Sequence, residues 1–184
     1  MKRAIAAALL VLSATAISGC ATEVDHSSHK MADSESGYSA NEIMFAQMMI
    51  PHHQQALDMV ALAETKTTDK DVLHVAGHIK DAQAPEVATM NSWLSAAGVS
   101  AESHHSMEMD GMLSEAELDA LEAAEGVEFE KLFLSGMIKH HQGALDMLYL
   151  LDESSKTEVS SFADMIRKVQ SEEIAEMQTM LKKY

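Results

Sequence analysis

The segment MMIPHHQQALDM, Met48 to Met59, is written a second time as GMIKHHQGALDM, Gly136 to Met147. One offset of 88 residues superposes Phe45 on Phe133, Met49 on Met137, His52 on His140, His53 on His141 and Asp58 on Asp146. Further along, IKDAQAPEVATMNSWL from Ile79 matches IRKVQSEEIAEMQTML from Ile166 at an offset of 87, pairing Gln83 with Gln170, Glu86 with Glu173 and Met90 with Met177. Two copies of a two-segment unit must fold as two copies of one supersecondary structure, each covering an apolar face that neither can bury alone.

Two prolines and eight glycines in 184 residues, beside abundant Ala, Leu, Met, Glu and Gln, make that structure helical. Ser39 and Glu42 have capping-box spacing for a helix from near Asn41 to about Lys66. On its wheel Met44, Met48, Met49, His52, Gln55 and Met59 share one half, with His52 central, His53 at the edge and Asp58 opposite; Pro51 should kink it. A second helix, capped near Thr68 with Asp71, should reach Ala97 and stop at Gly98, with Pro85 interrupting its flank. Ser114 and Glu117 cap a short helix through Ala124, and long helices follow at about Val127 to Glu153 and Lys156 to Lys183, the last opened by Ser155 and Glu158. The expectation is an all-α fold, a four-helix bundle built from two repeated hairpins. Its repeats span 39–98 and 127–184, its connector 99–126, and the whole domain 39–184.

The first twenty residues form an export signal: Lys2 and Arg3, then an apolar run to Ile17, then Ser18-Gly19-Cys20. Ile17 to Cys20 resembles a bacterial lipobox, which implies a leader over 1–19, a lipidated Cys20 and a polar tether over 20–38; the alternative is an ordinary signal peptide with a stray cysteine. On the lipobox reading, membrane attachment is through Cys20 on the extracytoplasmic face, at the cell surface or in the periplasm. Cys20 is the one cysteine, so the mature chain has neither an internal disulfide nor a thiolate metal site. Removing the leader takes the net charge from −16 to −18, which argues against nucleic acid and favours cations as partners; no protein partner is legible.

Each repeat offers a central and an edge histidine, a Gln and a Glu on an otherwise apolar stripe (Gln83, Glu86, Gln170, Glu173), and several methionines. A buried carboxylate needs a partner, so one reading pairs His52 with Glu86 and His140 with Glu173, or satisfies the polar groups through glutamine, as layers that hold the bundle together. A second reading is metal. Fifteen methionines and ten histidines, in an exported chain without a usable thiol, suit Cu(I) or Ag(I) where cysteine would oxidise. The ligand set on this reading is Met48, Met49, His52, His53, Met59, Met137, His140, His141 and Met147. The connector segment AESHHSMEMDGM either adds His104, His105, Met107, Met109 and Met112 to that set or packs its methionines as a loop lid over the bundle. Gly136 and Gly143, standing where the first copy has Met48 and Gln55, suggest close helix approach or room for something else. His74 and His78, at i and i+4, could chelate a surface cation, but they lie off the apolar face, where plain solvent exposure accounts for them.

No Gly-rich phosphate loop, nucleophile elbow or HExxH motif is present. A di-iron bundle needs Glu-x-x-His on two helices, and Glu23 to His26 and Glu102 to His105 fall in the tether and connector, so enzymatic turnover is not expected.

The doubled blocks FAQMMIPHHQQALDM and FLSGMIKHHQGALDM, each followed by a Gln-x-x-Glu-x-x-x-Met helix, resemble the bacterial domain of unknown function 305 family, whose members include CopM-like copper-binding proteins. The resemblance covers Ser39 onward. It implies a ferritin-like four-helix fold, an extracytoplasmic location, and copper bound through Met and His, as Cu(I) foremost, with Ag(I) or Cu(II) as alternatives. The motif positions carrying it are Met48, Met49, His52, His53, Met137, His140 and His141. Pro85 and Gly136 depart from the pattern, which implies units of unequal affinity. The function so implied is to sequester or transfer copper or silver; the alternative is a structural or interaction module in which buried His/Glu pairs only stabilise the bundle.

Overall fold

Ser39 fixes where the first helix begins. Its hydroxyl accepts from the Glu42 amide while the Glu42 carboxylate accepts from the Ser39 amide, the reciprocal pair that the spacing predicts. A computed structural model describes residues 37–101 and 109–184, and within them α1 runs Ala40–Lys66. The leader, Cys20, the tether through residue 36, and His104, His105 and Met107 of the connector lie outside the described residues. Helix α2, Lys70–Ala97, is capped by Asp69 rather than Thr68: the Asp69 carboxylate accepts from the amides of Asp71 and Val72. Thr68 stands one residue too early for that reach. The helix stops at Gly98, whose left-handed φ of 67° closes its last turn. Both helices run unbroken past Pro51 and Pro85, so neither proline divides its helix.

After the connector come α3, Glu115–Ala123, opened by the Ser114/Glu117 capping box, and α4, Gly126–Met147. The expected continuation of α4 to Glu153 is instead a 3-10 turn, Leu148–Leu151, which buries Leu148, Leu150 and Leu151. Helix α5 is Thr157–Leu181. It starts at Lys156 without a side-chain cap. The serine that matters there is Ser154, not Ser155: its hydroxyl accepts from the Lys156 amide and donates to Glu42 at the head of α1.

The fold is an all-helical bundle of two antiparallel hairpins, α1 with α2 and α4 with α5, meeting chiefly along α1 and α4. The stripes foreseen on α2 and α5 face inward. Their apolar members form two separate clusters. One holds Met59, Val72, Ile79, Phe133, Met137 and Met177; the other holds Phe45, Met49, Met90, Trp93, Phe162 and Ile166. On every long helix the residues between the two clusters are polar: His52 and His53, Gln83 and Glu86, His140 and His141, Gln170 and Glu173. The core is therefore two apolar blocks with a polar layer across the middle. No helix among the described residues is long and apolar enough to cross a membrane.

Candidate functional site

The polar layer is built from the repeated residues and inherits their symmetry. Nε2 of His53 meets the Glu86 carboxylate at 2.7 Å, and Nε2 of His141 meets Glu173 at 2.8 Å. All four side chains are buried. The expected partners, His52 with Glu86 and His140 with Glu173, are thus each one residue off. The reason is angular. A residue central on the apolar arc points between hairpins, while its neighbour, 100° further round, points at the other helix of its own hairpin, where the glutamate is.

The central histidines accordingly meet each other. The His52 and His140 rings lie 3.7 Å apart, centroid to centroid, across the seam between hairpins. Nε2 of His140 donates to the His52 carbonyl at 2.8 Å, and Nε2 of His52 faces the Asp110 carbonyl at 3.3 Å. Because both partners are carbonyls, Nε2 of each ring carries a proton, and burial keeps the rings neutral by leaving Nδ1 unprotonated. Burial, then the neighbouring His53, holds the His52 pKa down to about 3; burial and then His52 hold His140 well below its ordinary value. Nδ1 of each of the four histidines, and both amide atoms of Gln83 and Gln170, are buried without a hydrogen-bond partner among the described residues. The glutamines therefore do not satisfy the histidines.

The layer's symmetry breaks where the connector returns to the bundle. Gln55 accepts from the Leu113 amide at 2.8 Å and donates to the Leu113 carbonyl at 3.0 Å, clamping Met109 to Leu113 as a strap across α1 and α4. The equivalent of Gln55 in the second copy is Gly143, and a Cβ there would stand 1.9 Å from the Asp110 carbonyl oxygen. Gly111, at φ 85°, is equally constrained, since its own Cβ would meet the Gly143 backbone at 2.7 Å. A Cβ on Gly136, the equivalent of Met48, would meet Leu113 at 3.0 Å. The room at Gly143 is taken by the connector, and the room at Gly136 is shared by Leu113 of the connector and Met59 of α1. Lys139 closes the strap by bonding Glu117 at 2.8 Å, and with Ser114 it holds the Glu117 carboxyl down to about 2.

The methionines divide by position. Met49, Met59, Met137 and Met147 are buried in the two apolar clusters. Met48, Met109 and Met112 are half-buried, and the last two line an open groove with Asp110, Ser114, Glu117 and Lys139. Among the described residues no three His, Asp or Glu side chains stand ready as a metal set.

The model of the domain of unknown function DUF305 matches residues 42–181, from the α1 capping carboxylate to the last residue of α5. The chain belongs to the DUF305 family. The described DUF305 fold is similar to a DUF305 fragment from Deinococcus radiodurans, at 32% identity over 79% of this chain and 98% of that one, with a TM-score of 0.74. A candidate secreted DUF305 protein from Streptomyces coelicolor is similar at 28% identity, over 78% and 93% of the two chains, with a TM-score of 0.72. CopM in its Cu(I)-bound form is similar at 31% identity, over 77% and 96%, with a TM-score of 0.66, and CopM structures with Ag and with Cu(II) are similar too. No curated protein matches the chain.

A loop lid over the bundle is one of the two expectations for the connector; what the sequence does not show is the clamp that holds it. Gln55 was placed on the inner arc, but nothing local says that its amide pairs with a backbone 58 residues away. The signal was the difference between the copies: both glycines that replace larger residues lie beneath the strap.

Proposed function

We propose that this chain is an extracytoplasmic protein, lipid-anchored through Cys20, that sequesters or hands over copper or silver through Met and His side chains without catalytic turnover. The observation that carries the reading is its likeness, over nearly the full length of the relative, to a protein crystallised with Cu(I), Cu(II) and Ag. The donor chemistry agrees, since thioether and imidazole suit soft or borderline ions and no second cysteine competes. Within that set the strap methionines Met109 and Met112, followed back along the chain by Met107, His105 and His104, are the capture site. Of the bundle methionines in the expected ligand set, Met48 alone is half-buried rather than buried. The interior His and Met side chains hold the layer and the two apolar blocks. The export signal, and likeness to a candidate secreted relative, support the location.

The test is an anaerobic Cu(I) competition titration on the chain without its leader, carrying Cys20→Ser so that no thiol contributes. Loss of direct ligands in Met107→Leu/Met109→Leu/Met112→Leu should weaken binding by more than about tenfold, while His52→Gln/His140→Gln leaves it within a few-fold. Wild-type binding no tighter than that of the triple variant would remove the strap as the site, and a wild-type chain that cannot compete with the chelator would end the metal reading. The buried His53–Glu86 and His141–Glu173 pairs favour the alternative that would then stand, a non-catalytic helical module in which they only stabilise the bundle.

A further inference from the structure

We infer that His74 and His78, together with Glu176 of α5, form a separate site for a borderline divalent cation such as Zn(II) on the outer α2/α5 face. The inference goes beyond the copper reading and uses none of its residues. On α2 the two imidazoles stand at i and i+4, with ring centroids 4.2 Å apart. That is the spacing at which one helix face presents two imidazoles to a single ion, as the HExxH zinc helix does. Both histidines are exposed, and no described residue hydrogen-bonds to either ring. They differ in this from the four interior histidines, each of which has Nε2 occupied and no accessible surface.

The second observation lies across the helix seam. Two open grooves separate this part of α2 from α5: one is lined by His74 and Glu176, the other by His78, Asp81, Glu172 and Glu176. Glu176 borders both, so its carboxylate is the α5 group shared by the two imidazoles. Its side chain is exposed and free to change rotamer. The cation at the rim, Lys183, is paired with Asp71, which leaves the histidines facing uncompensated carboxylates. The three side chains are not already gathered on one point. The imidazole pair supplies the chelate, Glu176 swings in as third ligand, and water completes a tetrahedral set. The exposed donors are nitrogen and oxygen, and the one methionine lining the groove, Met180, is buried in the apolar cluster, a set that selects a borderline divalent ion over Cu(I) or Ag(I).

The experiment is a Zn(II) titration against a chromogenic chelator, on the chain without its leader and carrying Cys20→Ser, with imidazole NMR signals followed in parallel. His74→Ala and His78→Ala should each weaken one equivalent by at least about tenfold and be nearly as damaging as the double variant, because a chelate needs both rings. Glu176→Gln should weaken the same equivalent less, and the triple methionine variant should keep it. Zn(II) should shift the His74 and His78 ring signals before those of any other histidine. Equal Zn(II) binding by wild type and His74→Ala/His78→Ala, or first shifts at tether or connector histidines, overturns the inference. Failure of the Cu(I) titration leaves it intact.

Discussion

Gly143 and Gly77 are both helical glycines, and their surroundings give them opposite roles. At Gly77, within α2, an added Cβ would have nothing within 4 Å, so Gly77→Ala gains helix propensity and loses unfolded-chain entropy, a stabilisation of about 0.5–1 kcal/mol. At Gly143 the same methyl would stand 1.9 Å from a backbone oxygen that no rotamer change can move. Overpacking of this kind costs roughly 1–3 kcal/mol, which exceeds the propensity gain. Urea unfolding of the two variants should therefore shift in opposite directions; a stabilised Gly143→Ala would show that the strap does not press on α4 as described. The glycine substitution was visible in the repeat alignment, but its cause was not, because the occupant arrives from far along the chain. The same limit applies to the histidines. Helical phase showed that one of each pair is central, whereas the identity of the glutamate's partner depends on which helix stands beside it.

At the scale of elements, the helices were legible because their ends are written locally. Ser39/Glu42, Ser114/Glu117 and Gly98 place three boundaries within a residue or two. The boundary that shifted most, the end of α4, is set by tertiary packing, since Leu148, Leu150 and Leu151 tighten into a 3-10 turn to bury together. The strap has no local code at all and is held by a side chain acting as a short length of β-partner. Removing that partner in Gln55→Ala leaves the buried amide and carbonyl of Leu113 unpaired, at a cost of about 1–3 kcal/mol. Hydrogen exchange should accelerate at the Leu113 amide far more than at amides in the middle of α5. Unchanged protection at Leu113 would mean that the clamp is not what orders the connector.

For the molecule as a whole, the polar layer makes stability depend on acid. His52 and His140 are held neutral in the fold, His52 down to a pKa of about 3, while the unfolded chain takes up protons near 6.5. A depressed folded pKa means that the unfolded state binds more protons, so stability is complete above about 6.5 and falls as pH drops from there toward 3. For His52 the loss is on the order of 1 kcal/mol per pH unit in that window, and His140 adds to it in the same direction. Urea midpoints measured from pH 7 to pH 5 should fall accordingly, and His52→Gln/His140→Gln should flatten the dependence. A wild-type midpoint that stays level over that range would contradict the neutral His52–His140 pair.

The duplicated His/Glu pairs also bear on how the chain avoids misfolding. His53 bonds Glu86 and His141 bonds Glu173 in matching ways, so a decoy with hairpin partners exchanged, α1 against α5 and α4 against α2, could satisfy both pairs equally well. Interactions that are interchangeable between copies contribute nothing to the gap separating the native arrangement from that decoy. The discrimination must come from where the copies disagree. Gln55 grips Leu113 on one side and Gly143 yields to Asp110 on the other, and neither can take the other's place.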